Sequence, residues 1–462
     1  MRFFNPSLRK IAHMAAARVV SVFAACAVIS GSAFAQGGSI PLVRDTEIEA
    51  VVRSYVDPIF AVAGLSPAAV KIYLVNDPKI NAFVAGGQNI FVNTGLFMEL
   101  DTPNQVIGVL AHETGHITGG HLTRSSDAVS KAAIPLLISM AAGIALMVAG
   151  AGSDAGMAVM QGGQQIAQRQ FLQFTRAQES SADQAAMRYL TATKQSGQGM
   201  LETFERFAEI ELYANANRDP FAYSHPLGRE RIGALRGLVE GSPYYDKKDR
   251  PEAQHTFDML RAKLRGYTER PDIVLRRYPP TDASKPARYA RAMAFFRQPD
   301  MDGALREINS LIAEEPDNPY FLEVKGQIYV EMGRPREGME PYRRAVEIAP
   351  DAPLLRVSYA AAMLSTEDPA LTRPALTELE KSLRQDDENP FAWYEVAMAY
   401  SRLDEPAKAS LATAERYFAV GAFPQAMQFA HRAQRGLQTG SIDWQRANDI
   451  LAVAQAQAAD RR

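Results

Sequence analysis

Apolar positions along this chain follow two rhythms, and the switches between them mark out its elements. From 44 to 64 they recur at three- and four-residue steps, the spacing of one helix face. The run 70–75 (VKIYLV), residues 82–84 and the triplet Ile90-Phe91-Val92 are rich in β-branched and aromatic side chains and read as strands. Gly86-Gly87-Gln88-Asn89 supplies turn residues between the last two, so 82–92 predicts a hairpin. Asp101 or Thr102 then caps a helix with Pro103 in its first turn and Val106, Ile107, Leu110 and Ala111 on its apolar face; Gly119-Gly120 ends it. Residues 132–152 are almost wholly apolar. Long helical patterns cover about 158–190 and 200–213, and 240–286 is rich in Pro, Tyr and charge around a short helix at 256–264.

Beyond 286 the pattern repeats. Pro316 and Pro350 lie 34 residues apart, as do Pro319 and Pro353. In the same frame small residues recur at Ala292, Gly326, Ala360 and, after a three-residue insertion, Ala397, and aromatic residues follow at Phe295, Tyr329 and Tyr400. Ala304 and Ala409 take the small position of the second helix. A helix-turn-helix unit of 34 residues with small side chains where helices cross resembles the tetratricopeptide repeat. Four units are present, with a degenerate fifth around Gly421, Ala426 and Ala433. Stacked helix pairs make a long concave surface, which implies a protein partner on the repeats.

Composition removes several function classes. At 462 residues, 47% hydrophobic and 22% charged, the chain is an ordinary globular protein of more than one domain. A net charge of −2 leaves no positive field to hold nucleic acid. Arg2, Arg9, Lys10 and Arg18 precede an apolar stretch at 19–29 and the site Ala33-Phe34-Ala35, which reads as a secretory signal peptide cleaved after Ala35. Acylation at Cys26 is the weaker alternative, because Phe23 suits a lipoprotein signal poorly. Cys26 is the one cysteine and lies inside the leader, so the exported chain has neither disulfides nor thiolate ligands. A metal would have to be held by histidine and carboxylate.

His112-Glu113-Thr114-Gly115-His116 provides that chemistry. Positions i and i+4 stack on one helix face, so both imidazoles aim at one ion, with Glu113 beside them to take a proton from water. A catalytic zinc needs a third protein ligand and an open position. A third histidine six residues after His116 is missing: Leu122 stands there, and His121 falls one short, off the metal face, where it reads as structural. Glu179 and Asp183 share one face of a later helix; Glu179 is the expected third ligand, and Asp183 the acceptor that orients a ligating imidazole. His225 and Arg231 are the candidates to stabilise an oxyanion. Ile90-Phe91-Val92 is read as an edge to which an extended substrate adds as another strand, with an ordinary buried strand as the alternative.

The H-E-x-x-H motif, the E-x-x-A-D at Glu179–Asp183 and Ser224-His225-Pro226 followed by Arg231-Ile232 together resemble the CAAX-prenyl-protease-type (gluzincin) zinc metallopeptidases. Asn81-Ala82-Phe83, Gly95-Leu96, Val109-Leu110-Ala111, His121 and Arg176 match the family pattern as well. With a leader in front and repeats behind, the chain is similar to the periplasmic BepA-like branch. The resemblance implies an α+β zincin-type protease domain, mostly helical with a small sheet, followed by an all-α tetratricopeptide-repeat superhelix. It implies one Zn2+ per chain on His112, His116 and Glu179, Glu113 as general acid/base, and His225 on a loop able to approach and block the metal. It further implies a periplasmic endopeptidase that degrades misfolded or stalled outer-membrane proteins, with the outer-membrane assembly machinery as a partner of the repeats. The rival is a chaperone-like assembly module whose proteolysis is latent or dispensable.

One membrane crossing at 132–152 would place His116 and Glu179 on opposite sides of the bilayer, so that segment is expected to be a helical hairpin or flap beside the cleft, touching a membrane surface or a partner, or else packed in the core. The expected division is a signal peptide at 1–35, a protease domain at 36–270, a linker at 271–284 and the repeat domain at 285–462.

Overall fold

The computed structural model describes residues 41–121, 174–213, 225 and 227–460. The leader and the apolar segment 132–152 lie outside these residues. The remainder divides into two compact units, one holding 48–264 with 41–43, the other holding 265–460 with 44–47. The division falls just before the stretch expected to be a linker, part of which is a short helix, Pro271–Arg277.

The first unit carries a four-stranded sheet: β1 (Leu42–Val43), β2 (Lys71–Val75), β3 (Ala82–Ala85) and β4 (Asn89–Asn93), in the order β1-β2-β4-β3. The expected hairpin forms between β3 and β4, with Gly86 and Gly87 at φ of 58° and 97°, where a side chain would be strained. From this hairpin β4 turns back into the middle of the sheet. Ile90, Phe91 and Val92 pair in parallel with Ile72, Tyr73 and Leu74 on one side. They pair antiparallel with Val84, Phe83 and Ala82 on the other. Both rows of backbone groups are therefore occupied, and the expectation of a substrate edge on Ile90-Phe91-Val92 is corrected: the strand is interior. Phe91 is stacked between Tyr73 and Phe83 at 5.0 and 5.2 Å, while Ile90 and Val92 are fully buried on the other face. Among the described residues the strand at that end of the sheet is β3.

The described helices that share one hydrophobic core with the sheet are α1 (Thr46–Val62), α2 (Thr94–Glu99), α3 (Pro103–Thr118), α4 (described over 174–192), α5 (Gln198–Tyr213), α6 (Arg229–Glu240) and α7 (Pro251–Thr268). The start of α3 is fixed by a reciprocal capping box. The Thr102 hydroxyl accepts from the Gln105 backbone N–H, and the Gln105 side chain accepts from that of Thr102. Every residue from Val106 to Gly115 is buried, so α3 is a core helix enclosed on all sides. Two glycines make that enclosure possible. A Cβ on Gly108 would lie 2.6 Å from the Met200 Cβ of α5, and one on Gly115 would lie 2.7 Å from the Ala182 carbonyl of α4. The helices that carry the chemistry therefore meet α3 at backbone distance.

The second unit is a run of helix pairs: Lys285–Arg297 with Met301–Glu314, Pro319–Glu331 with Pro335–Ile348, Pro353–Ser365 with Pro369–Leu383, Pro390–Arg402 with Pro406–Ala419, and Phe423–Gly436 with Ile442–Asp460. The period set by Pro319 and Pro353 is thus the period of the helices themselves. Ala292, Gly326 and Ala360 are buried as expected, and Gly326 faces the Tyr342 ring at 2.8 Å from where a Cβ would stand. This is an all-α repeat array behind an α+β domain.

Candidate metal centre

Helix α3 delivers His112, Glu113 and His116, all on its buried stretch or at its end. Helix α4 delivers Glu179 and Asp183 one turn apart. His225 arrives from the segment just before α6, and Arg231 from the first turn of α6.

The donor atoms converge. His112 Nε2 and His116 Nε2 are 3.1 Å apart. Glu179 Oε2 lies 3.3 Å from His112 Nε2, and Oε1 lies 3.4 Å from His116 Nε2. His225 Nδ1 sits 3.3 Å from His112 Nε2 and 3.2 Å from both Glu179 oxygens. Four ligating atoms, one from each residue, lie within 4.8 Å of one another. A tetrahedral ion with bonds of about 2.0–2.1 Å separates its donors by roughly 3.3–3.4 Å, which is the spacing found here. The residues present fit a metal ion.

The surroundings prepare each ligand. His112 Nδ1 lies 2.9 Å from Asp183 Oδ1, the acceptor position expected for that carboxylate. Burial alone would lower the His112 pKa, but Asp183 and Glu179 outweigh it and raise it to about 9. For His116, burial dominates and the nearby His112 adds to it, holding the ring well below its usual pKa. Burial pushes against ionisation of Glu179, yet His225, His112 and Arg231 keep it well below the usual carboxylate range. Glu113 is displaced upward, chiefly by its own burial, with His225 and His112 opposing. Both Glu113 oxygens are buried and accept no hydrogen bond among the described residues, where His225 Nε2 stands 3.4 Å from Oε1. That leaves Glu113 unencumbered beside the donor cluster, as a base for incoming water must be.

Arg231 departs from expectation. Its Nε and Nη2 donate to the two oxygens of Asp183 at 2.7 Å each, and its Nη1 approaches Glu179 Oε2 at 2.7 Å. All three nitrogens are turned to carboxylates, so the oxyanion role is corrected: the guanidinium holds Asp183 and Glu179 in place. The physical reason is charge, since two carboxylates one turn apart in a buried site need a cation between them.

Two contacts were not foreseen from the sequence. Phe204 on α5 is fully buried, with the His112 ring edge-on at 5.2 Å and the Arg231 guanidinium over its face at 5.1 Å. Ala182 sits under Gly115 and sets the gap between α3 and α4. Helical spacing from Met200 marks Phe204 as inward-facing but not what it would touch.

Known proteins agree with this reading. The profile of peptidase family M48 matches residues 42–239. The beta-barrel assembly-enhancing protease of Escherichia coli (strain K12) is 25% identical over 422 residues, covering 88% of this chain and 82% of that one. The protein of that name from Yersinia pestis is 25% identical over 414 residues, covering 88% and 83%. Metalloprotease LoiP of Escherichia coli (strain K12) is 29% identical over 171 residues, 37% of this chain and 62% of its own. Residues 42–239 match peptidase family M48, and together with the assembly-enhancing proteases this supports a metalloprotease with tetratricopeptide-like helical repeats behind the matched region.

Proposed function

We propose that this chain is an exported, periplasmic zinc endopeptidase that hydrolyses peptide bonds of misfolded or stalled outer-membrane proteins recruited by its repeats. The observation that carries the reading is the donor cluster at tetrahedral spacing, with Glu113 buried beside it and without a hydrogen bond among the described residues. His112, His116 and Glu179 would hold the zinc, which when bound makes its water acidic and polarises a peptide carbonyl. Glu113 takes the proton of the attacking water and passes it to the leaving amine. Asp183 and Arg231 fix the ligands and do not touch substrate. His225 stands where a fourth ligand would, which supports a closed resting arrangement, because a catalytic site needs an open position. Cleavage then requires this ring to withdraw, freeing it to face the substrate.

The role in barrel assembly rests on the names of the relatives and on the repeat array, whose helix pairs suit protein partners. Among the described residues no helix is long and apolar enough to cross a membrane. The test is Glu113→Gln: the variant should bind one zinc per chain and fail to cleave an unfolded outer-membrane protein. Unchanged turnover in that variant overturns the proposal.

A further inference from the structure

His112 and His116 are oriented by different means. Asp183 stands behind His112. Behind His116 the structure places another imidazole: His121 Nδ1 lies 2.9 Å from His116 Nδ1, with the rings nearly perpendicular at 80° and 4.9 Å apart. His121 is only 6% exposed. It follows the glycine pair that ends α3, and continuing the helix would have carried it away from the metal-facing side. Gly119-Gly120 reverses it. Gly120 adopts φ 61°, and a Cβ on Gly119 would fall 2.3 Å from His121 Nε2, so the ring occupies the space a side chain at 119 would take. The backbone of His121 is tied in turn to α4, because the Gln178 side-chain amide donates to its carbonyl at 3.1 Å. Gln178 directly precedes Glu179.

We infer that His121 is a positioning residue for the metal site: it accepts a hydrogen bond from His116 Nδ1–H, which leaves the His116 Nε2 lone pair for the metal and fixes the rotation of the ring. A ligating histidine that turns Nε2 to a metal carries its proton on Nδ1, and that proton needs an acceptor. The role requires His121 to present an unprotonated Nδ1 to that proton. Through Gln178 the same residue links the second ligand to the third. The inference rests on the metal-site reading above.

The experiment measures zinc affinity of the full chain by competition with a chromophoric chelator, and the visible spectrum of the cobalt(II)-loaded chain, for His121→Leu and His121→Asn. Leu fills the space without an acceptor; Asn keeps an oxygen close to where Nδ1 stands. His121→Leu should lose roughly ten- to a hundredfold in zinc affinity and shift the cobalt bands, while His121→Asn regains most of the affinity. The metal-free variants should unfold at the wild-type temperature. Three outcomes overturn the inference: zinc affinity unchanged in His121→Leu, equal weakening in both variants, or a metal-free Leu variant that unfolds at markedly lower temperature. Glu179→Ala, measured alongside, separates the two claims: if it abolishes zinc binding while His121→Leu keeps it, only the role of His121 falls.

Discussion

Arg231 grips Asp183 through two parallel hydrogen bonds of 2.7 Å and reaches Glu179 with its remaining nitrogen. One cation thereby pairs with both of the acids that α4 brings to the site. Burial and these carboxylates act in opposite directions on the guanidinium, and the carboxylates win, raising its pKa. Removing one member of a buried ionic group leaves its partners desolvated and unpaired. Arg231→Leu should destabilise the metal-free chain by about 3–5 kcal/mol in urea unfolding of the protease transition. A loss below about 1 kcal/mol would mean that the site tolerates both acids without their counter-ion.

Gly115 is the point at which two ligand-bearing helices touch. A methyl group there would meet the Ala182 carbonyl at 2.7 Å and its Cα at 2.9 Å, both backbone atoms that no rotamer can relieve. Gly115→Ala should push α4 outward and carry Glu179 off the two histidines. Zinc affinity is expected to fall at least tenfold, while an exposed glycine such as Gly233, where a methyl meets nothing within 4 Å, accepts alanine without effect. Wild-type affinity in Gly115→Ala would show that the helices are not held at this distance.

Metal binding should release one proton near neutral pH. His112 is charged in the metal-free site because its pKa is raised to about 9, whereas His116 is held neutral by burial and Glu179 is ionised. Zinc must displace the His112 proton, so affinity should fall about tenfold per unit as pH drops below 9. The stability of the metal-free chain runs the other way. A histidine whose folded pKa is raised contributes fully below its unfolded pKa of about 6.5, and that contribution is lost as pH rises through about 9. Calorimetry of zinc binding at pH 7 in buffers of different ionisation heat measures the proton directly; a heat independent of buffer contradicts the assignment.

In the repeats, Gly326 and Gly338 mark a close helix crossing: a Cβ on the first would enter the Tyr342 ring at 2.8 Å, and one on the second would meet the Gly326 carbonyl at 2.8 Å. Gly326→Val should cost about 1–3 kcal/mol in the repeat transition and leave zinc affinity untouched, as followed by denaturant unfolding and metal titration.

Local rules made much of this legible from the amino acids. The i, i+4 histidines, the capped start of α3 and the 34-residue period depend on neighbours in sequence, and each survives in three dimensions. What escaped was non-local. Nothing in Ile90-Phe91-Val92 records that Lys71–Val75 would pair along its far side, because strand order follows from the chain path rather than from side-chain pattern. Arg231 reads as a free cation until Asp183 and Glu179 are seen facing it. Helix geometry sends His121 away from the metal face, but the glycine pair folds it back onto His116 and so changes what it touches.

The donors that gather at this centre are far apart along the polypeptide, His112 and His225 by 113 positions and Glu179 and His225 by 46. A polypeptide emerging residue by residue therefore carries its first two imidazoles long before the carboxylate and the last ring exist. Half a donor set grips an ion weakly, and the buried Glu113 has no enclosing walls until α4 and α5 arrive. Cutting power is thus born last. Completion of the donor set therefore coincides with completion of the tertiary structure.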